Sequence, residues 1–173
     1  PHTKYLDLAK VYYVSVEDEA FGKGTILIYN NHLKMWDVST EQLEELAEIN
    51  TPKLFPITVR ALEDILCPEI ADNSGWDLKN GIFVMTNADK YLGAVTMLYH
   101  NSLKSFAGLL QSDLIIIPCS LHEVLLLSAN TDFNIECLKE IVKVANRESI
   151  LPEDFLSNSL YYYDRETDSI RML

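Results

Sequence analysis

The chain has 173 residues, 48% of them apolar and 23% charged, which suits a globular domain and excludes disorder over most of its length. At this size roughly 70% of the unfolded surface can be buried, so the core needs neither disulfide nor metal. Twenty-six acidic against 14 basic residues give a net charge of −12 and no basic run, which excludes ordinary binding to nucleic acid or to anionic membranes.

Apolar runs stay strand-sized, the longest being Leu114–Ile117 and Val124–Leu127, far short of the ~18 residues of a membrane span. No signal peptide opens the sequence. Pro1 stands where an initiator Met is usual, so a fragment of a longer protein is expected. Cys67, Cys119 and Cys137 are odd in number and widely spaced, which predicts buried, reduced thiols and a cytoplasmic location.

In chain order, Leu8–Val16 is rich in Val and Tyr and predicts a strand. A polar turn over residues 17–24 and a second strand, Thr25–Tyr29, complete a hairpin. Ser39 and Gln42 form a capping box, with Val38 and Leu43 as hydrophobic staple. The helix they open buries Leu43, Leu46 and Ala47, and Pro52 is expected to stop it. Ile57–Leu62 reads as a strand and Glu63–Leu66 as a helical turn. Pro68 and Asp72-Asn73-Ser74-Gly75 mark a loop.

Ile82–Thr86 and Ala94–Tyr99 read as a second strand pair, followed by a helix with Leu103, Phe106, Ala107 and Leu110 at helical spacing. Leu114–Ile117 and Val124–Leu127 are two more strands, and the stretch from Pro118 to Glu123 reads as strand entry. Asn134 caps a third helix, with a Phe133–Leu138 staple and an apolar face of Leu138, Ile141, Val142 and Ala145. Pro152 opens a short helical turn. Leu160–Asp164 and Ser169–Leu173 close the chain as a hairpin, in which Tyr161 and Tyr163 face one way and Tyr162 the other.

A shift of 70 residues aligns the two hairpin–helix units without gaps. Tyr13 falls on Phe83, Phe21 on Tyr91, Asn31 on Asn101, Leu33 on Leu103, Lys34 on Lys104 and Trp36 on Phe106. A duplicated unit would place Asn31, Lys34, Asn101 and Lys104 on the rim of a cleft; the plainer alternative is ordinary helix-start chemistry after a strand. The expected fold is α+β: a mainly antiparallel sheet of about seven to nine strands, either continuous or split into two lobes from a duplicated ββα unit, covered by about three helices. Residues 1–173 form one domain, divisible into pseudo-repeat halves at about 5–66 and 81–173.

The chemistry-bearing candidates cluster in Pro118-Cys119-Ser120-Leu121-His122-Glu123. A zinc-protease pair needs a second His at residue 126, which is Leu126, so no metal site is expected. Ser120 and His122 would share a strand face with side chains parallel rather than opposed, and no nucleophile elbow surrounds Ser120. The acidic run from Glu17 lacks the spacing of a calcium loop, and Gly22-Lys23-Gly24 is a hairpin tip rather than a phosphate loop, so no cofactor is expected. The readings left are a non-enzymatic domain binding a protein or small molecule, with a homodimer open, and an enzyme using Ser120, His122 and Glu123 beside Asn87.

Several strings resemble an uncharacterised bacterial family common in anaerobic gut bacteria, a domain of unknown function. They are the run from Gly24 to Trp36 with Ser39 to Ala47, Val84-Met85-Thr86-Asn87, the run from Ile117 to Val124, and Tyr161-Tyr162-Tyr163-Asp164-Arg165-Glu166. The resemblance implies that this chain matches the C-terminal portion of longer members. A small hydroxyl residue often replaces Cys119 there, which argues against a role for the thiol. A fainter similarity runs to a second uncharacterised bacterial family. Neither implies an activity.

Overall fold

The computed structural model describes residues 1–18, 20, 22–68, 78 and 80–173. It is α+β, and its contacts fall into two compact units, Pro1–Leu54 and Phe55–Leu173. The loop expected at Asp72-Asn73-Ser74-Gly75 and the pairing of Phe21 with Tyr91 lie outside the described residues.

In the first unit, β1 (His2–Tyr5) pairs with β2 (Leu8–Val11), and β3 (Tyr13–Asp18) with β4 (Gly22–Leu27). The single strand expected over Leu8–Val16 is thus broken at Tyr12. That ring is needed in the core with Ile28 and Leu33, and its carbonyl accepts the Ile28 amide at 2.9 Å. Helix α1 (Asn30–Trp36) leads through Asp37, in the left-handed region, to α2 (Thr40–Leu54). The capping box forms both ways: the Ser39 amide donates to Gln42 Oε1 at 2.9 Å, and the Gln42 amide to Ser39 Oγ at 3.2 Å. Val38, Leu43 and Ala47 then close over Tyr12, Ile28 and Leu33. Leu46, expected on that face, is exposed. Pro52 does not stop α2, which ends at Leu54; so near the C-terminus the ring removes one bond and few remain to be disrupted. Glu44 ties the helix to the first hairpin, accepting from Thr3 Oγ1 at 2.9 Å and pairing with Lys10.

The second unit is built on a six-stranded sheet in the order β10-β9-β7-β8-β6-β5, with antiparallel neighbours throughout. These strands are β5 (Ile57–Ala61), β6 (Ile82–Asn87), β7 (Leu114–Ile117), β8 (Val124–Ser128), β9 (Tyr161–Asp164) and β10 (Ser169–Met172). Among the described residues the four strands of the first unit pair with one another as two hairpins, apart from the six-stranded sheet. Helix α3 (Leu62–Leu66) follows β5 directly. Helix α5 (Ile135–Ser149) covers one face, Val142 packing with Ile115, Ile117 and Leu127. On the other face α4 (Ser102–Leu110) sets Phe106 edge-on against Phe83, 5.1 Å between ring centres. Each such buried side chain contributes about 1.5–3 kcal/mol. Alternation in β9 is as expected, with Tyr161 and Tyr163 buried and Tyr162 half-buried.

Four further expectations fail here. Residues Gly93–Leu98 form a 3₁₀ segment, not a strand, so the hairpin of the first unit has no counterpart after β6. The Ala94 amide is taken by the Leu121 carbonyl at 3.1 Å and Thr96 Oγ1 donates to Gly93 O at 2.7 Å, so the segment coils against the sheet rather than joining it. The buried stripe of α5 is Val142 and Asn146, flanked by Ile135 and Leu138, while Ile141 and Ala145 are exposed. Asn146 is satisfied inside, its Nδ2 donating to Ser157 O and to Asn158 Oδ1, both at 3.0 Å. Pro152 opens a turn closed by the Asp154 amide on Leu151 O, not a helix. Cys67 and Cys137, expected inside, are exposed.

Candidate functional site

Residues 118–123 do not continue a strand. They bend between β7 and β8, and Ser120 bridges to Phe155. The bend follows from local bonding: Ser120 Oγ accepts the His122 amide at 3.1 Å, a hydroxyl turn that competes with sheet bonding. Ser120 is therefore buried and turned to backbone, not to the imidazole.

His122 is held at both ring nitrogens. Nδ1 accepts the Leu92 amide at 3.1 Å, and Nε2 lies 3.0 Å from Asp154 Oδ1. An accepting Nδ1 fixes the neutral ring as the Nε2–H tautomer, which donates to Asp154. The Tyr91 ring lies against the imidazole, 5.4 Å between centres and tilted by 32°.

The loop carrying Tyr91 is shaped by Asn87, at the end of β6 and only 1% exposed. Its Nδ2 donates to Tyr91 O at 2.8 Å and its Oδ1 accepts the Tyr91 amide at 3.2 Å. Asn87 thus serves the backbone and does not stand free as a ligand-binding group. Gly93 ends the loop where a Cβ would meet Thr86 Oγ1, the His122 carbonyl at 2.5 Å and the Asn87 amide nitrogen at 2.8 Å. Thr86 Oγ1 donates to that carbonyl at 2.6 Å.

Of the residues expected to act together, the fold gathers Asn87, Ser120 and His122 around one loop, with half-buried Glu123 beside them. Glu123 adds to the burial that pushes the Cys119 thiol up to about 11, so that thiol stays protonated and inert at neutral pH. Asn101 and Lys104 lie elsewhere in the second unit. Exposed Asn101 precedes α4 in the left-handed region without capping it by its side chain. Lys104 pairs with Asp168 at 3.2 Å. Asn31 and Lys34 are exposed on α1 of the first unit.

Asp154, Tyr91, Leu92 and Gly93 went unrecognised in the sequence. Asp154 lies 32 residues from His122, and no spacing rule joins them. Glycine scarcity was the one available signal: six in the chain, one of them Gly93 directly after an aromatic-aliphatic pair.

Chemically, the arrangement presents no open base. Both imidazole nitrogens are bonded, and the Ser120 hydroxyl accepts from backbone. Among the described residues no group of three or more His, Cys, Asp and Glu could hold a metal ion. An open cleft of about 370 Å³ lies between Ser112–Asp113, Asn130 and Asp164–Glu166, but both oxygens of Asp113 are occupied, by Tyr162 Oη at 2.7 Å and the Arg165 amide at 3.0 Å.

The first unit carries a different kind of feature. Tyr29, just before α1, meets His32 edge-on and His32 in turn lies tilted against Trp36, with ring centres 5.8 Å and 5.5 Å apart. Their outer members are exposed, Tyr29 by 58% and Trp36 by 47%, and Met35 beside them by 71%. Val14, Val16 and Ile26, on one face of the β3–β4 hairpin by their register, are exposed too.

A family model matches residues 1–165, and the chain belongs to that family, a family of unknown function designated DUF5688. No curated protein and no solved structure matched the chain. No described helix is long and apolar enough to cross a membrane.

Proposed function

We propose that this chain is a non-enzymatic interaction domain of the cytoplasm whose first unit binds a protein partner through α1. The observation that carries the reading is the exposed Tyr29–Met35–Trp36 surface. Tyr, Trp and Met are enriched at interfaces, and the two aromatics bury large area while fixing only two side-chain torsions each. The same helix turns Leu33 inward, so these side chains are not needed for its own core. The β3–β4 hairpin of the same unit also exposes an apolar face, and a two-stranded hairpin gains stability when such a face is covered.

The second unit supports the same reading by what its polar groups do: the side chains of Asn87, Ser120 and His122 each bond to backbone groups of the two loops that carry them. Three free thiols fit a reducing compartment.

The test is photo-crosslinking in cells from a benzoylphenylalanine placed at Met35, with Lys143 on the exposed face of α5 as control. A discrete adduct from position 35, absent from position 143 and weakened at least tenfold by Trp36→Ala, is expected. Equal adducts from both positions, or none from position 35, would overturn the proposal. An adduct of twice the chain mass would identify the partner as a second copy.

A further inference from the structure

The His122 bonds point to a second property, independent of the first unit: we propose that His122 is a proton-operated latch on the loop between Asn87 and Gly93. The latch is the bond from the Leu92 amide to Nδ1. It exists only while Nδ1 is an unprotonated acceptor. An imidazolium carries a proton on both nitrogens, so Nδ1–H would face the Leu92 N–H, two donors with no acceptor between them. Histidine is the side chain whose charge changes within the range of pH 5 to 8.

The second leg of the argument is strain. Lys90 and Leu92 have φ of 54° and 51°, in the left-handed region that residues other than Gly and Asn avoid. Such a conformation persists only where the surroundings over-determine it. Here Asn87 fixes Tyr91 on both sides of its peptide unit, and His122 fixes Leu92. Removing the His122 bond leaves Leu92 strained with nothing holding its amide, so the segment relaxes and Tyr91 leaves the imidazole face.

Several charged groups surround the ring. Asp154, from the turn after Pro152, faces Nε2 at 3.0 Å. Glu123 adjoins His122 in the chain, and Tyr91 stacks on the ring. The same loop carries exposed Asp89 and Lys90, of opposite sign. The added proton goes to Nδ1, on the Leu92 side, while Nε2–H keeps its bond to Asp154, so protonation breaks one of the two bonds and leaves the other.

Amide exchange on the whole chain tests this. The protection of Leu92, corrected for intrinsic exchange, is expected to fall about tenfold from pH 8 to pH 5. Its midpoint should coincide with that of the His122 ring proton shifts in the same NMR titration. His122→Asn keeps an acceptor oxygen near the Nδ1 position and cannot titrate, so Leu92 should stay protected at both pH values. Constant protection in the native protein while His122 titrates, or no titration of His122 between pH 5 and 8, would overturn the proposal. Both readouts come from the native chain, so they decide the matter even where the His122 variant fails to fold.

Discussion

Substituting Gly93 by Ala tests the packing behind the Tyr91 loop most directly. Gly93 is buried, and a methyl group there enters space held by Thr86 Oγ1, the His122 carbonyl and the Asn87 amide nitrogen. Two of the three are backbone atoms of β6 and of the bend before β8, so they cannot rotate aside. Overpacking of this kind costs about 1–3 kcal/mol. Displacing Thr86 Oγ1 from the His122 carbonyl, now 2.6 Å away, adds about 1 kcal/mol. Gly93→Ala is therefore expected to lose about 3 kcal/mol. With a urea slope of about 2 kcal/mol/M, the midpoint drops by about 1.5 M while the slope is kept. Gly108→Ala is the control: nothing lies within 4 Å of its Cβ position, and it sits within α4. There Ala should gain about 0.5–1 kcal/mol by helix propensity. Urea melts of both variants decide the matter. A Gly93→Ala protein within 0.5 kcal/mol of the native chain would refute the close approach on which the loop is argued to depend.

A chromogenic disulfide reagent at pH 8 should titrate two thiols rapidly, Cys67 and Cys137, and the third only on unfolding, because burial and Glu123 hold Cys119 protonated; three rapid equivalents would contradict this. Asn146→Ala strips the Ser157 carbonyl of its buried donor and should cost about 2 kcal/mol in the same urea melts, against near neutrality for Ala at exposed Ile141. Asp168 is held below the usual carboxylate range by the Tyr163 hydroxyl at 2.6 Å and then by Lys104. A depressed carboxyl binds fewer protons folded than unfolded, so its stabilisation is present above about pH 4 and lost as pH falls through its folded value. Asp168→Asn should therefore be the less stable protein at pH 7, with the gap between the two stability curves closing as pH falls through the depressed carboxyl's range; a constant gap would disprove the pairing.

Local chemistry was readable where it is self-contained. The Ser39–Gln42 box needs only residues three apart, and both of its bonds form. The stripe Leu103, Phe106, Ala107 and Leu110 is buried because a nine-residue helix against a sheet admits one solution. Reading failed where a distant partner decides. The run Ala94–Leu98 has no period that separates a buried strand from a buried helical turn. It coils because Leu121 and Gly93 offer its amide and hydroxyl groups acceptors off the sheet. In α5 the buried stripe admits Asn146 because Ser157 and Asn158 supply its acceptors, and no apolar pattern can announce that.

The same distinction explains why His122 could be picked out while its role could not. His122 was weighed against Ser120, two residues away, yet the groups that meet its ring are Leu92 and Asp154, 30 and 32 residues away. Leu92 has no local reason to be left-handed; that conformation costs a residue of its kind about 1–3 kcal/mol. Two bonds from Asn87 and one from His122, at about 1 kcal/mol each, act against that strain, beside the backbone bonds from the Lys90 amide to Asn87 O and from the Ala94 amide to Leu121 O. Of the three side-chain bonds, only the one to His122 ends on an atom that a proton can take.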